Sequence, residues 1–295
     1  MRVESEGTKP AAAKPETKVE TPKAERAPPP PAPKLPSLGD LFDGAKKVVG
    51  GIVDGAKAVA EKFVDTFAKQ ATEIAKKIEA GIDSLSIKST KLSGPQQDML
   101  KNVYGQNQDF SNVRVAQMPP WMETACAKAD QLSGGSGQAR SFTAGEVIFM
   151  PKADYEKFLA GGHDNLLVHE SAHVLQYRQR GVDVAVESIK EQMKEGSAAY
   201  DWRDNVAAGQ GWKDLNVEEQ ASIIDNAQNA GYFDKPGQRL IVDEGGKGYR
   251  VIGPGEEIPK GWKDVTNVLE DGLRSLGGNR PTPGDQRPID SPRVA

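Results

Sequence analysis

The chain has 295 residues, 37% of them hydrophobic, with a mean hydropathy of -0.57 and 38 Lys+Arg set against 42 Asp+Glu. That length allows one large domain or two ordinary ones, and the low apolar fraction predicts that part of the chain is unfolded or fully solvated. The balanced charge argues against a nucleic-acid binder with a basic surface; a single cysteine excludes an internal disulfide and Cys-x-x-Cys metal sites; no apolar run reaches the ~18 residues of a membrane span.

Residues 1–37 hold nine of the 20 prolines, including Pro28–Pro31, and alternate Lys and Glu with Ala and Thr. They cannot bury enough surface to offset chain entropy and are expected to form a disordered arm. The opening residues Met1–Glu6 carry no apolar stretch, so no Sec signal peptide is expected. From Leu38 to Ile82 the apolar residues recur at helical spacing, with Lys, Asp and Glu on the other face. This predicts a long amphipathic segment over 38–90, broken or kinked at Gly50-Gly51. Its stripe needs a partner. The preferred reading is packing on its own domain or self-association; the others are docking to an export machine and lying on a membrane, which the acidic residues among the lysines disfavour.

A compact domain is expected over 91–235. Ser93-Gly94-Pro95 opens a helix over Gln96–Tyr104, and Asn112–Ala116 reads as a strand. Trp121–Leu132 is predicted helical, with Cys126 as a small buried hydrophobe. A flexible loop follows at 133–137, then a strand over Ser141–Met150. Helices are predicted over Asp154–Ala160, Asn165–Arg180 (stopped by Gly181), Ile189–Ala208 and Asn216–Ala230. Residues 236–276 form a small extension, with a hairpin of Leu240–Val242 and Tyr249–Ile252 and a helix over Val265–Leu276. Residues 277–295 read as a disordered tail.

The three histidines, His163, His169 and His173, fall within one eleven-residue window. His169-Glu170-Ser171-Ala172-His173 is an H-E-x-x-H sequence inside the strongest predicted helix. Residues i and i+4 share a helix face, so both imidazoles can reach one metal ion, while the adjacent Glu170 is placed to act as general base on a zinc-activated water. A zinc hydrolase needs a third protein ligand. Positions 176 and 179 are glutamines and no histidine follows His173, so that ligand must be a carboxylate: Asp183, Glu187, Glu191, Asp201, Asp204, Glu218 or Glu219. Asn216 can cap the last of the four helices and Glu219 can close a capping box, which leaves Glu218 as the preferred ligand.

The stretch Ser141–Met150 followed by Leu166-Leu167-Val168-His169-Glu170-Ser171-Ala172-His173-Val174-Leu175-Gln176-Tyr177 resembles the eCIS core, a zinc-metallopeptidase domain of bacterial proteins associated with extracellular contractile injection systems and of related secreted or toxin-like proteins. Tyr104-Gly105 and Phe110–Val115 resemble its lead-in. Tyr200-Asp201-Trp202, Trp212 and Leu215–Ala221 resemble a downstream region and support Glu218 over Glu219. The resemblance spans about 92–235. It implies an α+β, zincin-like fold with a short sheet and an active-site helix.

The expected function is that of a zinc metallopeptidase, an endopeptidase acting on a protein or peptide. Zn2+ would be held by His169, His173 and Glu218, with Glu170 as general base. Tyr200 is a candidate donor to a developing oxyanion. His163 is a loop residue or a substrate-binding one, and Gln176 and Tyr177 are packing groups or supports for the ligands. The protein would be made in the bacterial cytoplasm and then secreted or injected without a signal peptide. The alternative is a catalytically silent scaffold or cargo-docking protein that engages an injection particle through residues 38–83. No nucleic acid is expected as partner.

Overall fold

The computed structural model describes residues 53–81, 86–132 and 136–279, all within a unit that begins at Leu38. The predicted arm, the Gly50-Gly51 break, most of the 133–137 loop and the tail from residue 280 lie outside the described residues.

Helix α1 (Val53–Glu79) precedes a sheet of β1 (Ser89–Lys91), β2 (Arg114–Gln117), β3 (Phe142–Ala144) and β4 (Val147–Met150). The strand order is β1-β2-β4-β3, with β2 and β4 parallel and both outer pairs antiparallel. Helix α2 (Gly94–Tyr104) joins β1 to β2, and α3 (Pro120–Leu132) lies between β2 and β3. After β4 come α4 (Lys152–Leu159), α5 (Asp164–Arg180), α6 (Val182–Glu195), a 3-10 turn (Gly196–Tyr200), α7 (Trp202–Ala207), a second 3-10 turn (Trp212–Asp214) and α8 (Val217–Asn229). A second sheet of β5 (Arg239–Asp243), β6 (Tyr249–Ile252) and β7 (Trp262–Asp264), in the order β6-β5-β7, leads to α9 (Thr266–Ser275). The protein is thus mixed α and β with two small sheets.

Two elements differ from their sequence expectation. Ser141–Met150 is a hairpin rather than one strand: Gly145, at φ 63, supplies a left-handed turn, and Ala144 pairs with Val147 across it. The helix expected over Ile189–Ala208 is three pieces. Gly181, at φ 72, ends α5 and lets α6 start at Val182. The chain then tightens into a 3-10 turn from Gly196, and Asp201 caps a fresh start at Trp202 by accepting from the Arg203 amide. Strand β7 was not anticipated.

Alternation along the sheet separates two apolar layers. Val115, Ile148 and Met150 face a core shared with Leu167, Val168 and Ala172 of α5 and Ile223 and Ile224 of α8. Leu240 and Val242 of β5 and Leu269 and Leu273 of α9 belong to that same core. On the opposite face, Phe142, Val147 and Phe149 meet Phe67, Ile74 and Ile78 of α1 and Met122 of α3. At roughly 1.5–3 kcal/mol for each large apolar side chain removed from water, this contact is enough to hold the described part of the amphipathic stripe on its own domain. Glu79 at the end of α1 accepts from the Glu146 amide in the hairpin turn, and Lys190 of α6 pairs with Asp65 at 3.4 Å. Cys126 is half-buried beside this second layer, and burial pushes its thiol up to about 12.

Candidate metal centre

Helix α5 crosses the inner face of the sheet and packs most extensively against α8. Its start is unusual. The residue before it, His163, has a left-handed backbone (φ 70) and makes no side-chain cap. Further along, His169 and His173 stand one turn apart with ring centres 5.0 Å from each other, both buried.

The surroundings decide which ring nitrogens face inward. Gln176 donates its amide to Val217 O (3.3 Å) and Gln220 Oε1 (2.9 Å), so its oxygen is left to accept from His173 Nδ1 at 2.7 Å. That fixes the proton on Nδ1 and leaves the Nε2 lone pair free. His173 Nε2 is buried without a hydrogen-bond partner, 3.5 Å from Glu218 Oε1. His169 Nδ1 donates to Asp225 Oδ2 at 2.7 Å, and its Nε2 lies 3.1 Å from Glu218 Oε2. Burial opposes a charge on His169, but the Asp225 and Glu218 carboxylates overcome this and hold its pKa well above the ordinary value.

Glu218 enters from the first turn of α8, where the capping box separates it from its neighbour. Asn216 Oδ1 accepts from the Glu218 and Glu219 amides. Glu219 returns to the Asn216 amide at 2.9 Å and also accepts from Asn205. Glu219 is therefore occupied in capping, and the fully buried Glu218 points at the histidines. Its Oε1 accepts from Ser188 and, at 2.9 Å, from Gln192, both on α6. Burial works against ionisation of Glu218, and the imidazoles of His173 and His169 override it, holding the carboxyl well below its usual range.

One donor atom from each of His169, His173 and Glu218 lies within 4.8 Å of the others, and all three residues are buried. The free lone pair on His173, its missing partner and the mixed imidazole–carboxylate donor set all suit a metal ion. Asp183, Glu187, Glu191, Asp201 and Asp204 are not in this group. Of these, Asp201 pairs with Arg203 at 2.8 Å and Glu187 with Arg180.

Glu170 lies beside the ligands, 3% exposed. Thr143 of β3 donates to its Oε2 at 2.8 Å; Thr143 is the register partner of Ile148, so it projects from the sheet toward α5. Burial pushes the Glu170 carboxyl up, against the pull of both imidazoles. Tyr200, from the first 3-10 turn, sets its ring centre 5.6 Å from that of His169. A cleft of about 600 Å³ is lined by Arg140, Ser141, His163, His169, Glu170 and Tyr200 among others. His163 Nε2 lies 3.3 Å from Asp154 within it, and Tyr177 is half-buried near the exposed end of α5. Asp225, Thr143, Ser188 and Gln192 were not singled out in the sequence. Asp225 carried a signal there, since it stands two turns beyond Glu218 on one helix face.

Comparison with known families adds one finding: residues 91–181 match the eCIS core domain. No curated protein and no solved structure matches the chain. The matched stretch begins at the end of β1 and closes on Gly181, so it includes His169, Glu170 and His173 and stops short of Tyr200 and Glu218. This likeness suggests an association with contractile injection systems.

Proposed function

We propose that the protein is a zincin-like zinc metallopeptidase, secreted or injected in association with a contractile injection particle. Its metal would be held by His169, His173 and Glu218. The observation that carries this reading is the buried His173 Nε2, locked by Gln176 into its ligand-competent tautomer and facing Glu218. When bound, zinc supplies a Lewis acid that lowers the pKa of water toward ~7.

The chain's own residues would do the rest. Glu170 takes a proton from the attacking water and returns it to the leaving amine. Its raised proton affinity suits that role, and the Thr143 hydroxyl holds its orientation. Tyr200 offers its phenolic hydrogen to the carbonyl oxygen as negative charge develops there. The cleft beside these groups supports an extended peptide or protein as substrate.

The second reading, a silent scaffold or cargo-docking protein acting through residues 38–83, separates from the first by experiment. Metal analysis and digestion of a peptide library should find about one zinc per chain and a cleaved product. Glu170→Gln should keep the zinc and lose about 10²–10⁴-fold in rate. Less than about 0.2 zinc per chain after gentle purification would favour the scaffold.

A further inference from the structure

Arg140 lies on the cleft wall just ahead of β3 and is held from behind. Its Nε and Nη2 both donate to Asp130 Oδ1 of α3, at 3.2 and 3.0 Å, and Asp130, 9% exposed, also accepts from the Gly137 amide at 2.9 Å. This carboxylate thus anchors both the guanidinium and the loop that carries it. On its other side the Arg140 guanidinium stands 5.3 Å from the centre of the Tyr200 ring and hydrogen-bonds the Tyr200 hydroxyl. Tyr200 in turn packs against His169, and both Arg140 and Tyr200 line the cleft.

The donor and acceptor inventory fixes the direction of that bond. A guanidinium has five N–H donors and no acceptor, so the Tyr200 oxygen must accept from Arg140. The phenolic hydrogen is then not used on Arg140 and is free to be donated into the cleft. A phenol that accepts from a cation is also a stronger donor than a free one.

We infer that Asp130 and Arg140 are positioning residues for Tyr200: Asp130 fixes the guanidinium, and the guanidinium turns and polarises the Tyr200 hydroxyl toward a carbonyl oxygen beside Glu170. This rests on the peptidase reading for its catalytic consequence, whereas the contact itself does not. Arg140 acts through Tyr200 and need not touch substrate.

Two arms test it on the full-length protein. In the first, tyrosine is labelled with 13C at Cζ, the Tyr200 signal is assigned with Tyr200→Phe, and the spectrum is recorded with and without zinc. Arg140→Gln should move that signal, because it removes a hydrogen bond to the phenol oxygen, and Arg140→Lys should restore part of the shift. An unmoved signal overturns the inference. In the second arm, Tyr200→Phe should lower kcat by about 10²-fold and Arg140→Gln by about 10-fold, each with little change in KM, as for an oxyanion donor and a group that acts through it. The double variant should be no slower than Tyr200→Phe alone. Additive losses, or a raised KM with unchanged kcat in Arg140→Gln, would make Arg140 a substrate-binding residue and overturn the positioning role. A wild-type protein that binds zinc and cleaves nothing would overturn the peptidase reading and this catalytic role with it, while the spectroscopic arm still reports the contact.

Discussion

The stretch that matches the eCIS core and the stretch after it contribute different chemistry to one site. Residues 91–181 bring two imidazoles, the buried Glu170 and the Thr143 hydroxyl that holds it. Residues 182–279 bring the Glu218 carboxylate, the Asp225 carboxylate behind His169, the two donors Ser188 and Gln192 behind Glu218, and the Tyr200 phenol. The first region carries the recognisable spacing. The second carries most of the negative charge that a cation needs and the hydrogen bonds that orient its ligands. A short motif therefore locates such a centre without describing it, and the two regions stand or fall together.

The largest expected effect that tests this partnership is Glu218→Ala. If the later region completes the centre, this variant should lose bound zinc altogether while His169 and His173 remain; dialysis followed by metal analysis reads the outcome, and full zinc content would confine the centre to the matched region. Next comes Asp225→Asn, which keeps the shape but removes the charge behind His169. Zinc affinity should drop about 10–100-fold, measured by competition with a chelator of known affinity. An unchanged affinity would reduce Asp225 to a packing residue.

Smaller again is a test of how the later region is held together. A Cβ on Gly272 of α9 would stand 2.3 Å from Trp212 Cε3. Alanine is the better helix former by about 1 kcal/mol, yet overpacking costs about 1–3 kcal/mol, so Gly272→Ala should lower stability to chemical denaturation. A gain would mean that Trp212 moves aside freely. The smallest test lies in the matched region. With its thiol pushed up to about 12, Cys126 should alkylate slowly at pH 8 and rapidly once the protein is unfolded in urea. Equal rates would show that the layer around α3 is open to solvent.

The sequence made His169, Glu170 and His173 legible because an i, i+4 pair depends only on helix geometry. Glu218 was legible for a second local reason: Asn216 and Glu219 form a capping box, and that removes the competing carboxylate. Asp225 shares a face with Glu218, but the meaning of that face depends on α5 lying against it, which no local pattern states. Thr143 was hidden by the reading of Ser141–Met150 as one strand. In a single strand it would share a side with Val147 and Phe149; the turn at Gly145 pairs it with Ile148 instead and directs it to Glu170. Ser188 and Gln192 looked like ordinary polar positions on an amphipathic helix. The helix over 53–79 was clear from its periodicity, and what its stripe rests on became clear only from the sheet beneath it.

That sheet has a practical consequence for the idea of a transplantable module. A fragment cut at the bounds of the family match would lose α1 from one side and α8, the second sheet and α9 from the other. Phe142, Phe149, Met118 and Met122 would face water on the first side, and Val168, Ala172 and Leu175 on the second. Such a fragment would present two sticky surfaces and would aggregate or seek partners before it could fold. The segment that relatives share is therefore shorter than the smallest piece able to stand alone, and any graft, fusion or truncation of this protein has to carry residues from α1 through α9.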